Sequence, residues 1–420
     1  MLVRHDLWQR MAQMSKAGSD MVTRRRVFYI PGYDPIPPRR YRELYRKEGA
    51  KQAGVSGYDL ALSPKLGARF GWSVEGQFDG ETTHSEFDVL VWSDIVQSSM
   101  EAGIFQTYGI LLRTAWIYIS TGALGSLMKL RRGPILAALY PVAILLIQLM
   151  IALGLGWGLF TLLSMFGHHT VIQSGAGIAS VLLSYGVLRW FKKQDGKFFA
   201  YYLMHDYGFS ARLRGAEAPE LSARLKAFQT DIAEALTQDW DEVLIVGHSS
   251  GAHLGVSVLS NLIRAGQVTE KGPKLSFLTL GQVVPMVSYL PEAKILRRDL
   301  AYLSTREELF WLDVSAPGDP CSFALCDPIK VSGVAPIDQL WPLVISAAFT
   351  QALSPALWAT LKRRFFRLHF QYLCAFDRPL SYDYFKITAG PKTLRARFQD
   401  HAPTPSRIDT PANRYIEMAK

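Results

Sequence analysis

Cysteine is scarce in this chain of 420 residues, and its histidines lack the spacing of a metal site. The three cysteines, Cys321, Cys326 and Cys374, are an odd number for a disulfide framework and do not form a zinc-type array. None of the nine histidines belongs to an H-x-x-x-H or H-E-x-x-H pattern. We therefore predict reduced thiols in a cytosolic environment, and neither a bound metal nor a cofactor.

Charge is missing altogether from one long stretch. Residues 133–188 contain no Asp, Glu, Lys or Arg, a length far beyond the ~20 residues that cross a bilayer once. A polar break at Phe166-Gly167-His168-His169 divides the stretch into two apolar spans, 134 to about 159 and 171 to about 188. Because a buried pair of core helices rarely lacks a charged face over this length, we predict a transmembrane helical hairpin over residues 133–190.

Basic residues flank this hairpin on both sides. They are Lys129, Arg131 and Arg132 before it, and Arg189, Lys192, Lys193 and Lys197 after it. The positive-inside rule then places both ends of the hairpin in the cytoplasm and the His168-His169 turn on the far side. The net charge of +10 suits a domain that faces anionic lipid headgroups. Since no nucleic-acid-binding motif is present, the predicted partner is the lipid bilayer and not nucleic acid.

Apolar runs alternate with helical patterns in the rest of the chain. Buried strands are expected at Arg26–Ile30, Phe70–Glu75, Phe87–Trp92, Val243–Val246, Leu275–Leu280 and Leu309–Val314. Helical patterns lie between some of them, as at Arg39–Lys51 and Leu221–Leu236. This alternation predicts an α/β fold with a mainly parallel sheet and helices on both faces. The hairpin interrupts the series, so it is an insertion into one domain.

The chain thus divides into five segments. Residues 1–25 form an N-terminal arm, 26–132 and 191–401 the two parts of the α/β domain, 133–190 the hairpin, and 402–420 a proline-rich C-terminal tail. Ile104–Leu130 is apolar but carries Arg113, so we interpret it as an interfacial helix, with a third span left open. Leu340–Leu361 is broken by Pro342 and Pro355 and has the composition of a lid or membrane-facing cap.

The segment Gly247-His248-Ser249-Ser250-Gly251 directly follows the apolar run Val243–Val246. It matches the pattern G-x-S-x-G, in which a strand turns sharply into a helix and exposes a serine at the apex. Side chains at the two glycine positions would crowd such a turn. Residues 252–259 then continue as a helical pattern. A plain strand-turn-helix is the alternative, but the context favours Ser249 as a nucleophile.

A serine hydroxyl needs a neighbouring base, an acid that orients the base, and donors for the oxyanion. This chain can supply Ser249, an acid and a histidine in that order along the sequence. With this order of residues it resembles the α/β-hydrolase superfamily, specifically its lipases and esterases. The resemblance covers about Arg26–Trp92 and Asp241–Phe376, whereas the hairpin is outside the family's usual pattern. It implies an α/β-hydrolase-like sheet and a Ser-Asp-His triad.

The acid of the superfamily normally sits in a loop after a strand that follows the elbow. Asp319 occupies such a position, in a Gly-Asp-Pro loop after the predicted strand Leu309–Val314. Asp313, on the strand itself, and Asp327, in the turn Cys326-Asp327-Pro328, remain alternatives, since Asp is common in turns.

Two histidines, His369 and His401, follow these acids along the chain. His369 lies in an apolar and aromatic run able to hold an imidazole neutral, whereas His401 lies in a polar run near the tail. We therefore favour His369 as the base. His248 and His253 are not expected to serve, because the first is expected to point away from the Ser249 apex and the second belongs one turn into the helix.

The resemblance also implies an oxyanion hole made by the amide after the nucleophile and an amide from the loop after an early strand. These map to Ser250 and to Gly32 or Tyr33, in a loop where Pro31 replaces the histidine of the His-Gly type. We thus expect a membrane-anchored serine hydrolase that cleaves carboxylic esters of a lipid-like or acylated substrate. A catalytically silent membrane scaffold or binding protein, and an acyltransferase that forms the same acyl-enzyme, remain alternatives.

Overall fold

An eight-stranded sheet forms the framework of the computed structural model, which describes residues 20–65, 67, 69–167 and 169–420. The strands are β1 (Arg24–Ile30), β2 (Asp59–Pro64), β3 (Gly71–Phe78), β4 (Glu81–Val89), β5 (Glu242–His248), β6 (Lys274–Leu280), β7 (Leu309–Ser315) and β8 (Leu343–Ser346). Their order across the sheet is β2-β3-β4-β1-β5-β6-β7-β8. Strands β2, β3 and β4 pair antiparallel, and every other pair is parallel. The predicted α/β class with a mostly parallel sheet is confirmed.

The helices surround this sheet or extend from it. They are α1 (Arg39–Ser56), α2 (Ser93–Met100), α3 (Ile104–Ser120), α4 (Ala123–Met128), α5 (Arg132–Ser164), α6 (Thr170–Lys193), α7 (Asp195–Phe198), α8 (Ala200–Ala211), α9 (Pro219–Leu236), α10 (Gly251–Arg264), α11 (Val284–Ser288), α12 (Lys294–Leu303), α13 (Pro328–Val331), α14 (Phe349–Ala352), α15 (Pro355–Leu361), α16 (Phe365–His369), α17 (Tyr384–Ala389) and α18 (Leu394–Phe398). A short 3₁₀ turn, Gln371–Leu373, follows α16.

Alternate residues of the central strands face two separate hydrophobic cores, as the period of two in a strand requires. Phe28 and Ile30 pack with α9, α10 and α12 on one face of the sheet. Val27 and Tyr29 pack on the other face with α1 and the helices near the C-terminus. Because both faces are covered, the central strands carry apolar residues on both faces and do not alternate strictly between apolar and polar residues.

The centre of the sheet is a point where the chain changes direction. From β1 the chain first builds β2, β3 and β4 on one side, and later builds β5 to β8 on the other side. Strands β1 and β5 are parallel neighbours, with Ile30 opposite Gly247. The loops that leave their carboxyl ends therefore diverge and open a crevice, which is where α/β proteins bind their ligands.

Two helices of the described residues are long and apolar enough to cross a membrane. Helix α5 has 33 residues and mean hydropathy 2.4, and α6 has 24 residues and mean hydropathy 1.6. They pack against each other, and Ser184 Oγ of α6 donates a hydrogen bond to the carbonyl of Ala152 in α5 at 2.9 Å. His168, in the predicted turn between them, lies outside the described residues, as do positions 1–19 of the predicted arm.

The predicted interfacial segment forms two helices, α3 and α4, separated at Thr121-Gly122. Tyr108 Oη of α3 donates to the carbonyl of Leu145 in α5 at 3.0 Å, and α3 packs mainly against α8, which in turn packs against α5. With 17 residues, α3 is about 26 Å long, shorter than the ~30 Å hydrocarbon core of a bilayer. Its exposed face carries Phe105, Leu112 and Trp116, an apolar stripe beside the hairpin.

Strands β2 and β8 are not foreseen from the sequence. Strand β8 lies inside the segment Leu340–Leu361, which the sequence indicates as a cap, and it pairs with β7 at the edge of the sheet. Its four residues are too few to show the alternation of apolar and polar residues that marks a strand. Pro342, directly before it, also suggests an interruption of regular secondary structure. The tail 402–420 contains no helix or extended strand, as expected, but several backbone hydrogen bonds hold it, such as Ile408 N to Leu325 O at 2.7 Å.

Candidate active site

Ser249 lies at the tip of the turn that joins β5 to α10, in a backbone conformation that few residues adopt. Its φ is +56°, in the left-handed region that is uncommon for residues other than glycine. The amide of Ser249 donates to the carbonyl of Leu280 at 2.9 Å, which fixes the turn. A side chain on Gly251 would collide with the carbonyl oxygen of Ile30, so the motif's second glycine is required by close approach of β1.

His369 and Asp319 form a buried hydrogen-bonded pair beside this turn. Nδ1 of His369 lies 2.8 Å from Oδ2 of Asp319. His369 ends α16 and lines the same pocket as Ser249, while Asp319 lies in the loop after β7 and is buried behind the imidazole. No hydrogen bond joins Ser249 Oγ to the imidazole within the described part of the chain, which is common for catalytic groups without substrate.

The environment of Asp319 stabilises its ionised form. Burial alone would raise the pKa of Asp319, but the neighbouring His369 and hydrogen bonds from His369 and the Cys321 amide outweigh that effect, so its pKa is lowered. The amide of Cys321 donates to Oδ1 at 2.9 Å, and Tyr372 Oη donates to Oδ2 at 3.0 Å. An ionised carboxylate only accepts hydrogen bonds, so Nδ1 of His369 carries the proton and Nε2 keeps a free lone pair.

The loop after β1 brings a second set of backbone groups to Ser249. An added Cβ on Gly32 would lie 2.9 Å from Cβ of Ser249, so only glycine allows this approach. The amides of Gly32, Tyr33 and Ser250 line the pocket and donate to no acceptor among the described residues. Trp92 Nε1 holds this loop through the carbonyl of Pro31 at 3.0 Å, and Tyr202 Oη holds it through the carbonyl of Tyr33.

These groups surround one pocket with about 820 Å³ of empty space, its open mouth included. Helix α8, which follows the hairpin closely in the chain, covers it with Tyr202, Asp206 and Tyr207. Pro134, at the start of α5, also lines it, so the pocket lies at the base of the hairpin. No described residue of the predicted cap, 340–361, lines this pocket, and Trp341 instead packs on Phe310 with ring centroids 4.8 Å apart.

The remaining candidates from the sequence lie elsewhere. Asp313 is buried within the sheet and accepts a hydrogen bond from Thr279 Oγ1 at 2.6 Å. Asp327 caps α13 through the amides of Ile329 and Lys330. His401 is exposed, and its ring packs against Phe398. The structure thus brings together Ser249, His369 and Asp319 with the three predicted oxyanion amides, and none of the alternatives.

The two histidines beside Ser249 line the pocket as well. Nε2 of His248 lies 3.0 Å from the carbonyl oxygen of His369. A neutral His248 that donates a hydrogen bond to this oxygen helps to position His369. Burial lowers the pKa of His248 to about 3 and that of His253 to about 4, so both stay neutral near pH 7. Nδ1 of His253 has no hydrogen-bond partner among the described residues.

Asp319, Cys321 and His369 also offer three donor atoms within 4.8 Å of one another, a possible metal-binding set. A metal would have to displace the hydrogen bond between His369 Nδ1 and Asp319 Oδ2. Metals bind the thiolate of cysteine, but burial raises the pKa of Cys321 well above its ordinary range. These donors therefore suit an imidazole oriented by a carboxylate better than a metal centre.

Tyr372, Tyr202 and Asp206 are parts of the site that the sequence reasoning missed. Tyr372 lies three residues after His369 in the same aromatic run, so this run could have indicated Tyr372 from the sequence. Tyr202 and Asp206 lie in the segment after the hairpin, which shows no motif. Only the long-range packing of α8 against other helices, chiefly α3 and α5, brings them to the pocket.

No protein-family model matches this chain, and comparisons with curated proteins and with solved structures find no match either.

Proposed function

We propose that this protein is a membrane-anchored serine hydrolase of α/β-hydrolase-like fold, which cleaves carboxylic esters of lipid-like or acylated substrates. The observation that carries the proposal is the position of Ser249, which stands at φ +56° in one pocket with the His369–Asp319 pair. Strained residues of this kind persist where the surrounding structure holds them for a function.

The residues have separate roles in the proposed reaction. Nε2 of His369 takes the proton of Ser249 Oγ as the oxygen attacks the carbonyl carbon of the ester, and Asp319 stabilises the imidazolium that forms. The amides of Ser250 and of Gly32 or Tyr33 donate to the oxygen that becomes negative. The carbon–oxygen bond to the alcohol then breaks, and His369 returns the proton to the departing oxygen.

The acyl group is left on Ser249 as an ester. Water attacks this acyl-enzyme with the help of His369 and releases the acid, and attack by an alcohol instead would make the protein an acyltransferase. The triad has the same role in both cases, so the choice between the two outcomes depends on which nucleophile enters the pocket.

The place of the pocket supports a substrate that arrives from a bilayer. Helix α5 is about 50 Å long, longer than the ~30 Å hydrocarbon core, and Pro134 at its first turn lines the pocket. Arg131 and Arg132, at the same end of the helix, suit contact with anionic headgroups. If the hairpin spans the membrane, the pocket lies at the headgroup level, where an ester of a lipid is accessible.

A second cavity, next to the pocket, supports an acyl chain as part of the substrate. It has about 570 Å³ of empty space, open parts included, and shares Ser210, His253 and Val287 with the pocket. Most of its other walls are apolar, and they include Phe209, Leu221, Leu254, Ile295 and Leu296. Apolar cavities of this size take up hydrocarbon groups, so the acyl chain would extend past His253.

Labelling by a fluorophosphonate tests the nucleophile. The full-length protein in detergent or lipid nanodiscs should be labelled, and Ser249→Ala should abolish the label while the protein stays folded. Ser249 alone stands at the apex of the turn, at φ +56°, whereas the neighbouring Ser250 occupies the N-cap position of α10. Ser63→Ala, which changes an exposed serine on β2, is the matched control and should keep the label. A wild-type protein that is not labelled and hydrolyses no ester would favour the silent scaffold.

Topology is tested with cysteines at the two ends of the hairpin. His169→Cys and Gly196→Cys are both exposed positions. We expect an impermeant thiol reagent to modify Cys at 169 from outside intact cells and to modify the one at 196 only after the cells are opened. Reversed reactivity would place the pocket on the other side of the membrane and leave the chemistry untouched.

A further inference from the structure

The charges in the catalytic pocket are opposite in sign to those of the whole chain. The sequence has 46 Lys and Arg against 36 Asp and Glu, yet no Lys or Arg is among the described residues that line the pocket. Two carboxyl groups, Asp34 and Asp206, do line it. A substrate with a phosphate or free carboxylate next to its ester would therefore meet no counter-charge.

The two carboxyl groups differ in the hydrogen bonds that they accept from the protein. Asp34 accepts hydrogen bonds from the Ile36 amide at 2.9 Å and from Tyr41 Oη at 2.7 Å, one on each oxygen. Asp206, on α8, accepts no hydrogen bond and forms no ion pair with any described residue. A carboxyl group of this kind in a pocket is costly unless a ligand provides the partner.

Several aromatic side chains line the same pocket as Asp206. The ring centroid of Tyr202 lies 6.1 Å from that of Tyr33 and 6.0 Å from that of Phe366, and Tyr207 and Phe370 also line the pocket. The faces of such rings attract cations within about 6 Å, and a set of them recognises substituted ammonium groups.

We propose that Asp206 and the aromatic side chains around it form a subsite for a positively charged group, a substituted ammonium, carried by the ester substrate. The inference rests on the proposed hydrolase function, because it identifies the substrate of the same pocket. Asp206 is then a specificity-determining residue. It supplies the counter-charge, and the tyrosine and phenylalanine rings replace the water that the ammonium group loses.

Two esters of the same acid test this subsite. One is a choline ester, and the other is its 3,3-dimethylbutyl counterpart, which has the same shape but an uncharged carbon in place of the nitrogen. The full-length protein should prefer the choline ester by roughly tenfold in kcat/KM. Asp206→Asn, which keeps the size of the side chain, should reduce this ratio to about one. Asp59→Asn removes a carboxylate that is exposed on β2, and it should leave the ratio unchanged.

Binding of choline gives a measurement that needs no turnover. Calorimetry with the Ser249→Ala protein should detect binding, and the added Asp206→Asn change should remove it. If both esters are hydrolysed at equal rates and choline does not bind, the cation subsite is wrong and the hydrolase proposal stands. If neither ester is hydrolysed but choline binds in an Asp206-dependent way, the subsite stands and the hydrolase proposal fails.

Discussion

His369 acts on two carboxyl groups, and the parts of the molecule that hold these groups differ. Asp319 comes from the loop after β7 and is buried, with hydrogen bonds from His369, Cys321 and Tyr372. Asp206 comes from α8, in the segment after the hairpin, and has no such bonds within the described residues. The first is held in its ionised form by these bonds, whereas the second has no partner among the residues that the structure describes.

The pKa values of the two groups follow from this difference. Burial and the nearby His369 act on both, but for Asp319 the imidazole and the hydrogen bonds prevail and its pKa is lowered. For Asp206 burial prevails and raises the pKa to about 7, with His369 opposing it. Carboxyl groups whose surroundings push their pKa values apart are the groups to which separate functions are assigned in active sites.

The comparison suggests a division of labour between the loops of the sheet and the helices that cover the pocket. The loops after β1, β5 and β7 supply the proposed nucleophile, oxyanion donors and acid, and these loops are fixed by their own strands. Helix α8 and the first turn of α5 supply the cover of the pocket. The chemistry would then belong to the loops of the sheet, and the choice of substrate to α8 and the start of α5.

The largest effect is expected at Asp319. Asp319→Asn should lower kcat by about 10³-fold to 10⁴-fold, because an amide can no longer fix the Nδ1–H tautomer or stabilise the imidazolium. Asp313→Asn is the comparison, since Asp313 lies in the sheet and away from the pocket. Ester hydrolysis and circular dichroism measure activity and folding. An Asp313→Asn enzyme that is inactive beside an active Asp319→Asn enzyme would show that the acid has been assigned to the wrong residue.

A smaller effect is expected at Tyr372, which positions Asp319 and does not touch the substrate. Tyr372→Phe removes one of the three hydrogen bonds to Asp319, worth about 1.5 kcal/mol for a charged acceptor, so kcat should fall roughly tenfold. The amide of Ala316 loses its acceptor in the same change, so the midpoint of thermal unfolding should also fall. KM should stay close to that of the unchanged protein, whereas a general loss of structure would alter KM and kcat together.

The sequence predicted much of the α/β domain and little of what covers the pocket. Ser249 and Asp319 could be chosen because each follows a strand with a clear apolar run, and chain order limited the base to His369 or His401. Their roles are still predictions, although the structure places the chosen residues together. A nucleophile elbow is a local pattern, so its geometry is encoded within a few residues.

Asp206 could not be found in this way. It lies 43 residues before Ser249 along the chain, on a helix with no pattern that points to a site, and only long-range packing of α8 brings it to the pocket. The strand within 340–361 was missed for a related reason. Pro342 and Pro355 suggested a broken cap, but the residues between them form a four-residue edge strand and a short helix, elements too short to show a period.

The smallest expected effect is the pH dependence of choline binding. It tests the difference between Asp319 and Asp206 most directly. Asp206 has a pKa of about 7, raised by burial, so it loses its proton and becomes negative as the pH rises through 7. Affinity for choline in the Ser249→Ala protein should therefore increase by up to roughly tenfold from pH 6 to pH 8.

The titratable groups that face Asp206 are His369, Cys321 and the phenols of Tyr33, Tyr118, Tyr202 and Tyr207. Burial holds the pKa of the thiol and of the phenols above their ordinary values, so they stay neutral in this range. Asp206→Asn is the control, because any pH dependence that survives this change does not come from Asp206. Affinity that is constant from pH 6 to pH 8, or that falls as the pH rises, would remove Asp206 from the binding of the cation.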